Sequence, residues 1–236
     1  MSYRPEENRP TGTRNPAPKK IERRYLTFED AKKRFDESMN HIEGLKKIYT
    51  KIKNEPSSEE LKIENCLEDL LRSQIVLMVS ALDYYMHEVL KCGILKFFNG
   101  DWNDTNKTLN KYKIPISIMR DIWINGNNQS DKYVSCIANE ISKMFDKDTF
   151  QRFDVITDNL NMFGITLPNN FSTYKNFLQD LCDRRNKIAH ESDRYEYNKD
   201  FLLRRTSISE DQVNNYKTKL MEFVDIIHNS MISRTK

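Results

Sequence analysis

The clearest periodicity in the chain lies in its first half. Leu67, Leu71, Ile75, Met78, Leu82, Met86, Val89 and Leu90 recur at steps of three and four. That spacing keeps apolar side chains on one face of a helix. The pattern predicts a long helix that opens at Ser57, with Glu60 three residues on, and runs to about Phe98, where Asn99-Gly100 stops it. Some 40 residues would span roughly 60 Å. A kink near Gly93 is expected, because that length exceeds a compact domain. An earlier helix is predicted from the capping sequence Thr27-Phe28-Glu29-Asp30 to about Lys53, ended by Asn54, Glu55 and Pro56.

The second half is less regular. Residues 100–130 hold Pro115, Gly126 and many asparagines, which predicts short helices and loops. Residues 131–147 look helical, and a shorter helix is expected near 148–163. Pro168-Asn169-Asn170 breaks the pattern. From Ser172 the positions Tyr174, Phe177, Leu178, Leu181 and Cys182 lead into Arg184-Arg185-Asn186. Residues 192–208 are polar and loop-like. Ser209 can cap a last helix, with Val213, Tyr216, Leu220, Phe223, Val224 and Ile227 facing inward. No strong strand pattern and no internal repeat are present. The reading is an all-α fold: one helical-bundle domain over residues 21–236 with long antiparallel helices. It follows a disordered tail at 1–20 that holds four of the seven prolines.

Composition supports helices. Six glycines in 236 residues are few for a sheet-rich fold or a glycine-rich phosphate loop. The net charge of +3 is uneven: residues 1–24 carry seven basic and three acidic side chains, which leaves −1 for the other 212. Nucleic-acid contact would therefore use a local patch, not a whole-surface field. Cys66, Cys92, Cys136 and Cys182 lie far apart in helical stretches and read as buried thiols in a reducing compartment. No His/Cys spacing suggests zinc, and no metal or cofactor is expected. The longest apolar run, 75–82, is too short to span a bilayer. A cytoplasmic protein without a membrane partner is expected.

The strongest chemical candidate is Arg184-Arg185-Asn186-Lys187-Ile188-Ala189-His190-Glu191. Histidine exchanges protons near neutrality. Arginine offers a fork of donors that matches phosphate oxygens. Together they suit transfer at a phosphodiester. Arg185 and His190 are five residues apart, or about 140° apart on one continuous helix. To meet at one phosphate, either the helix ends between them or the site forms at an interface. Arg185 also shares a face with Leu181, Ile188 and Ala189, so its charge should be paired or sit at a cleft. Spacing alone is weak: Arg34 and His41 also fit Arg-x(4–6)-His. A solvated basic helix end is the plainer reading of the spacing.

Other residues carry two readings each. Asp83 and His87 share a helix face. Asp83 could orient His190 or Arg185, or form an ordinary i,i+4 ion pair or a bundle-spanning hydrogen bond. Arg184 and Lys187 could extend an RNA path or simply be solvated. Glu191 and Asp193 could orient His190 or face water. Arg204 and Arg205 could contact phosphate or be ordinary surface. Trp102, Trp123 and the many tyrosines could stack bases, but the plainer reading is core or interface; His41 and His228 read as ordinary helix residues.

Context adds weight. Arg-Arg-Asn-Lys-Ile-Ala-His-Glu-Ser-Asp resembles the signature of the HEPN superfamily, with Asn186 as the polar residue after the arginine. The stretch 70–88, with Ser80-Ala81-Leu82-Asp83-Tyr84-Tyr85, resembles the long second helix of the RiboL-PSP-associated HEPN branch. The resemblance covers roughly 25–232; the middle, 100–170, matches no quotable pattern. It implies a metal-independent endoribonuclease acting as a homodimer, with two motif copies across a shared cleft. His190 would be general base or acid, Arg185 would bind the scissile phosphate, and Asn186 would orient one of these groups or bond the phosphate. It also suggests a toxin or antiviral defence effector. The first rival is a non-catalytic HEPN-like dimer that binds RNA, a nucleotide or a protein. The second adds a neutralising antitoxin or regulatory partner.

Overall fold

A computed structural model describes residues 27–55, 64–98, 100–104, 108–111, 115–117, 119–120, 140, 143, 145, 148–195 and 204–234. The tail at 1–20, the Ser57/Glu60 cap, nearly all of the helix expected over 131–147, and Trp123 lie outside the described residues. So do the side chains of Cys66, Cys136 and Arg204.

Helix α1 spans Phe28–Lys53. Its start is the predicted capping box. Thr27 Oγ1 accepts from the Asp30 N–H at 3.0 Å, and the Thr27 N–H donates to Asp30 Oδ2 at 3.1 Å. Helix α2 spans Glu64–Phe98, 35 residues, or about 52 Å. The predicted stripe is its core face: Leu71, Ile75, Met78, Leu82, Met86, Val89 and Leu90 are all buried. Full burial of each large aliphatic side chain stabilises the fold by about 1.5–3 kcal/mol.

Helix α2 runs through Gly93 to Phe98, as far as the sequence pattern predicts. The missing side chain at Gly93 serves packing. A Cβ there would lie 2.6 Å from Cε2 of Phe163, a fully buried ring.

Helix α3 spans Phe153–Met162 and buries Ile156 and Leu160. After Pro168, one 3-10 turn (Asn169–Thr173) leads into α4, Tyr174–Glu191. Helix α5 spans Glu210–Ser233, and Ser209 Oγ accepts from the Gln212 N–H at 3.1 Å. All six positions predicted to face inward in α5 are buried. Helices α1, α4 and α5 all pack against α2, which makes it the spine of the domain. Between α4 and α5 the polar segment is not wholly loop. Strand β1 (Arg194–Tyr195) pairs antiparallel with β2 (Arg204–Arg205). Two-residue strands leave too short a pattern to read from sequence. Trp102 is buried and stacks on Phe28 at 5.6 Å. The thiols of Cys92 and Cys182 are buried, and burial pushes both up to about 12.

Candidate active site

Helix α4 carries the Arg-Asn-x-x-x-His motif without a break. Leu178, Leu181, Cys182 and Arg184 form its buried face. Arg185 sits at the edge of that face, half-buried. Ala189, expected on the apolar side, is exposed. The helix ends after Glu191, with Ser192 and Asp193 both at positive φ (53° and 59°). The Asp193 N–H closes the last turn on the Lys187 carbonyl at 2.9 Å.

Arg185 reaches a groove of about 310 Å³ on the outer side of α2. Asp83, Tyr84, His87 and Glu88 line it from α2, and Gln151 from the segment before α3. Arg185 Nη1 donates to Asn186 Oδ1 at 3.0 Å. Among the described residues its buried Nε has no partner. The expectation that this charge sits at a cleft therefore holds.

His190 lies in the last turn of α4, exposed, as are Lys187 and Glu191. It does not line the groove. Among the described residues neither Glu191 nor Asp83 bonds to it. The helix does not end between Arg185 and His190, so one of the two geometric conditions is removed. Within one chain the two side chains remain about 140° apart around the axis.

Asp83 shares the groove with Arg185 but is engaged elsewhere, since its Oδ1 accepts from the Phe150 N–H at 2.7 Å. His87 faces the Asp83 carbonyl through Nδ1 and the Phe145 carbonyl through Nε2, each at 2.8 Å. Its Nδ1 lies 3.8 Å from Asp83 Oδ2, so the ion-pair reading describes only a loose contact. Together the two residues pin Phe145 and Phe150 against α2.

Two expectations are corrected. Arg184 is not on an RNA path. It is buried, and its Nη2 donates to Asp193 Oδ2 at 2.8 Å and to the Thr206 and Ser207 carbonyls at 3.2 and 3.1 Å. Asp193 neither faces water nor orients His190. It is fully buried, and its Oδ2 also accepts from Arg72 Nε at 2.7 Å. A charge inside the bundle must be paired, and these residues pair one another.

Arg72 extends the network to Glu68 (2.6 Å) and Asp69 (3.1 Å), and Arg205 reaches Asp69 at 2.6 Å. Burial pushes the Asp69 carboxyl upward, but bonds from Arg205 and Arg72 win and hold it below the usual carboxylate range. Arg205 thus belongs to this network, not to a free surface patch. Sequence reasoning missed Arg72; its one signal was a charge beside Leu71 as the helix turns apolar. It missed Gln151 as well, for which no motif exists.

Among the described residues no group of three or more His, Cys, Asp or Glu side chains could hold a metal ion, and no helix is long and apolar enough to cross a membrane.

A helical bundle with Arg, Asn and His on one helix, packed on a long spine helix, describes a HEPN-type domain. The RiboL-PSP-HEPN family model matches residues 26–233, and the chain belongs to that family. No curated protein and no solved structure matches.

Proposed function

We propose that the protein is a metal-independent endoribonuclease that works as a homodimer. The observation that carries this is the unbroken α4, which holds Arg185 at a groove and leaves His190 exposed on another side. A second copy related by a two-fold axis can bring His190 of one chain to Arg185 of the other. His190 takes the proton from the ribose 2′-hydroxyl. The 2′-oxygen attacks phosphorus and the 5′-oxygen leaves, taking a proton from water, giving a 2′,3′-cyclic phosphate and a 5′-hydroxyl. Arg185 stabilises the charge on the phosphoryl oxygens, and Asn186 holds the Arg185 fork in place. Lys187, exposed one turn before His190, adds positive charge along the strand. The family resemblance extends the proposal to a toxin or antiviral effector in the cytoplasm, held in check by an antitoxin or regulatory partner.

The test mixes two inactive variants. Arg185→Ala and His190→Ala are each incubated with RNA in EDTA, alone and after subunit exchange. A site shared between chains regains about a quarter of wild-type cleavage on equal mixing, since half the dimers are mixed and each has one intact site. Equal cleavage by wild type and His190→Ala would remove His190 from the mechanism. RNA binding without cleavage by wild type would favour a non-catalytic binding dimer.

A further inference from the structure

The groove that ends at Arg185 is lined by more than that arginine. Ser80, Tyr84 and Glu88 succeed one another at steps of four along α2, so they share one face. Tyr84 is 42% exposed, yet its hydroxyl is held by the Arg34 guanidinium from α1. An exposed ring tethered at its far end is a ready stacking surface. The opposite wall is Gln151, half-buried. Among the described residues its amide makes no hydrogen bond, which leaves one acceptor and two donors free. That wall is fixed, because the preceding Phe150 N–H is bound by Asp83 Oδ1. Lys91 also lines the groove and donates to Glu88 Oε1 at 3.3 Å, so Asp83 Oδ2 and Glu88 Oε2 are the carboxylate oxygens left to accept, and they cannot donate when ionised.

We propose that this groove is a nucleobase pocket for the nucleotide next to the phosphate bound by Arg185. Tyr84 stacks the base and Gln151 reads its edge. Asp83 and Glu88 favour bases with an exocyclic amino group: adenine, cytosine and guanine over uracil. The volume of about 310 Å³ lies at the small end of the range for ligand pockets, which suits one nucleoside and not a longer segment. The proposal rests on the reading of Arg185 as a phosphate contact. It adds the base preference of the same site.

The experiment titrates the full chain with AMP, CMP, GMP, UMP and ribose 5-phosphate, followed by amide and side-chain NMR shifts. Saturable shifts are expected at Tyr84, at Ser80 and at the Gln151 side-chain amide. AMP, CMP and GMP should bind at least about threefold tighter than UMP. Tyr84→Ala should weaken all four nucleotides about tenfold, while Tyr84→Phe, which keeps the ring, should lose far less. Arg185→Ala should weaken nucleotides and ribose 5-phosphate alike. Ribose 5-phosphate binding as tightly as the nucleotides would overturn the pocket. So would an unaffected Tyr84→Ala, UMP binding as tightly as the rest, or no saturable shift at all. Cleavage of RNA without any groove response would sink the pocket and leave the nuclease. Groove binding without cleavage would support the pocket and sink the nuclease.

Discussion

Arg72 and Asp193 stand 121 positions apart in sequence and meet at 2.7 Å inside the domain. With Arg184 on the other side, the Asp193 carboxylate joins the spine helix to the turn that ends α4, just beyond His190. The Thr206 N–H also donates to the Asp193 carbonyl at 2.8 Å, so the same residue holds the approach to α5. Two consecutive non-glycine residues at positive φ cost roughly 1–2 kcal/mol each, and this network offsets that cost.

Removing the shared carboxylate should therefore be worse than removing one guanidinium. Asp193→Ala leaves two buried arginines short of a partner and should cost about 3–5 kcal/mol. Arg184→Met should cost less, because Asp193 keeps Arg72. Urea unfolding of both variants gives the ranking from the midpoints at an unchanged slope. An Asp193→Ala protein as stable as wild type would mean that the network does not hold the turn.

Asn186 and His190 should separate in kinetics if the protein cleaves RNA as proposed. His190→Ala removes a proton-transfer group and should lower kcat by about 10²–10⁴. Asn186→Ala only frees Arg185 Nη1 from its 3.0 Å bond, and should cost about tenfold, in KM as well as kcat. Single-turnover cleavage at saturating RNA measures the chemical step in each. A larger loss in Asn186→Ala than in His190→Ala would reverse the roles.

How much of this was legible in the sequence depended on range. The α2 stripe from Leu71 to Leu90 and the caps at Thr27 and Ser209 are local patterns, and the fold keeps them. The chain position of Arg185, Asn186 and His190 was legible too, together with the angular conflict between the first and the last. The fate of Arg184 was not. It lies one position before Arg185, and whether it meets water or Asp193 is decided by Arg72 on another helix. Gln151 lines the groove next to Phe150, whose backbone is bound by Asp83 in a contact across 67 positions. The β1–β2 pair is two residues long on each side and leaves no period to detect.

Acid should destabilise the protein in two steps. Burial, then Lys32, hold the His228 imidazole below its usual value. The fold prefers the neutral ring, so this contribution is complete above about pH 6.5 and is lost as pH falls through the depressed value. Glu43, bonded by Lys217 at 2.6 Å, and Asp69 are carboxyls held below the usual range. Their contributions are complete above about pH 4 and are lost below it. Thermal scans from neutral pH downward should show a shallow first decline that His228→Gln removes. A steeper second decline should be softened by Glu43→Gln. A melting temperature that rises on acidification would contradict both signs.

Gly93 gives the sharpest test of packing. In an exposed helix interior, Gly→Ala stabilises by about 1 kcal/mol, because alanine is the better helix former. Here the new methyl would stand 2.6 Å from Cε2 and 2.8 Å from Cδ2 of Phe163, and 3.3 Å from Cζ3 of Trp102. Phe163 cannot simply turn away, since it is fully buried and packs edge-on against Phe97 at 5.7 Å. The ring must move within a filled core, which typically costs about 1–3 kcal/mol. Gly93→Ala should therefore lower the melting temperature. The double variant Gly93→Ala/Phe163→Leu should recover part of the loss relative to the sum of its single variants. Simple additivity would mean that the methyl and the ring do not meet, and that α2 and the turn after α3 stand further apart than this packing requires.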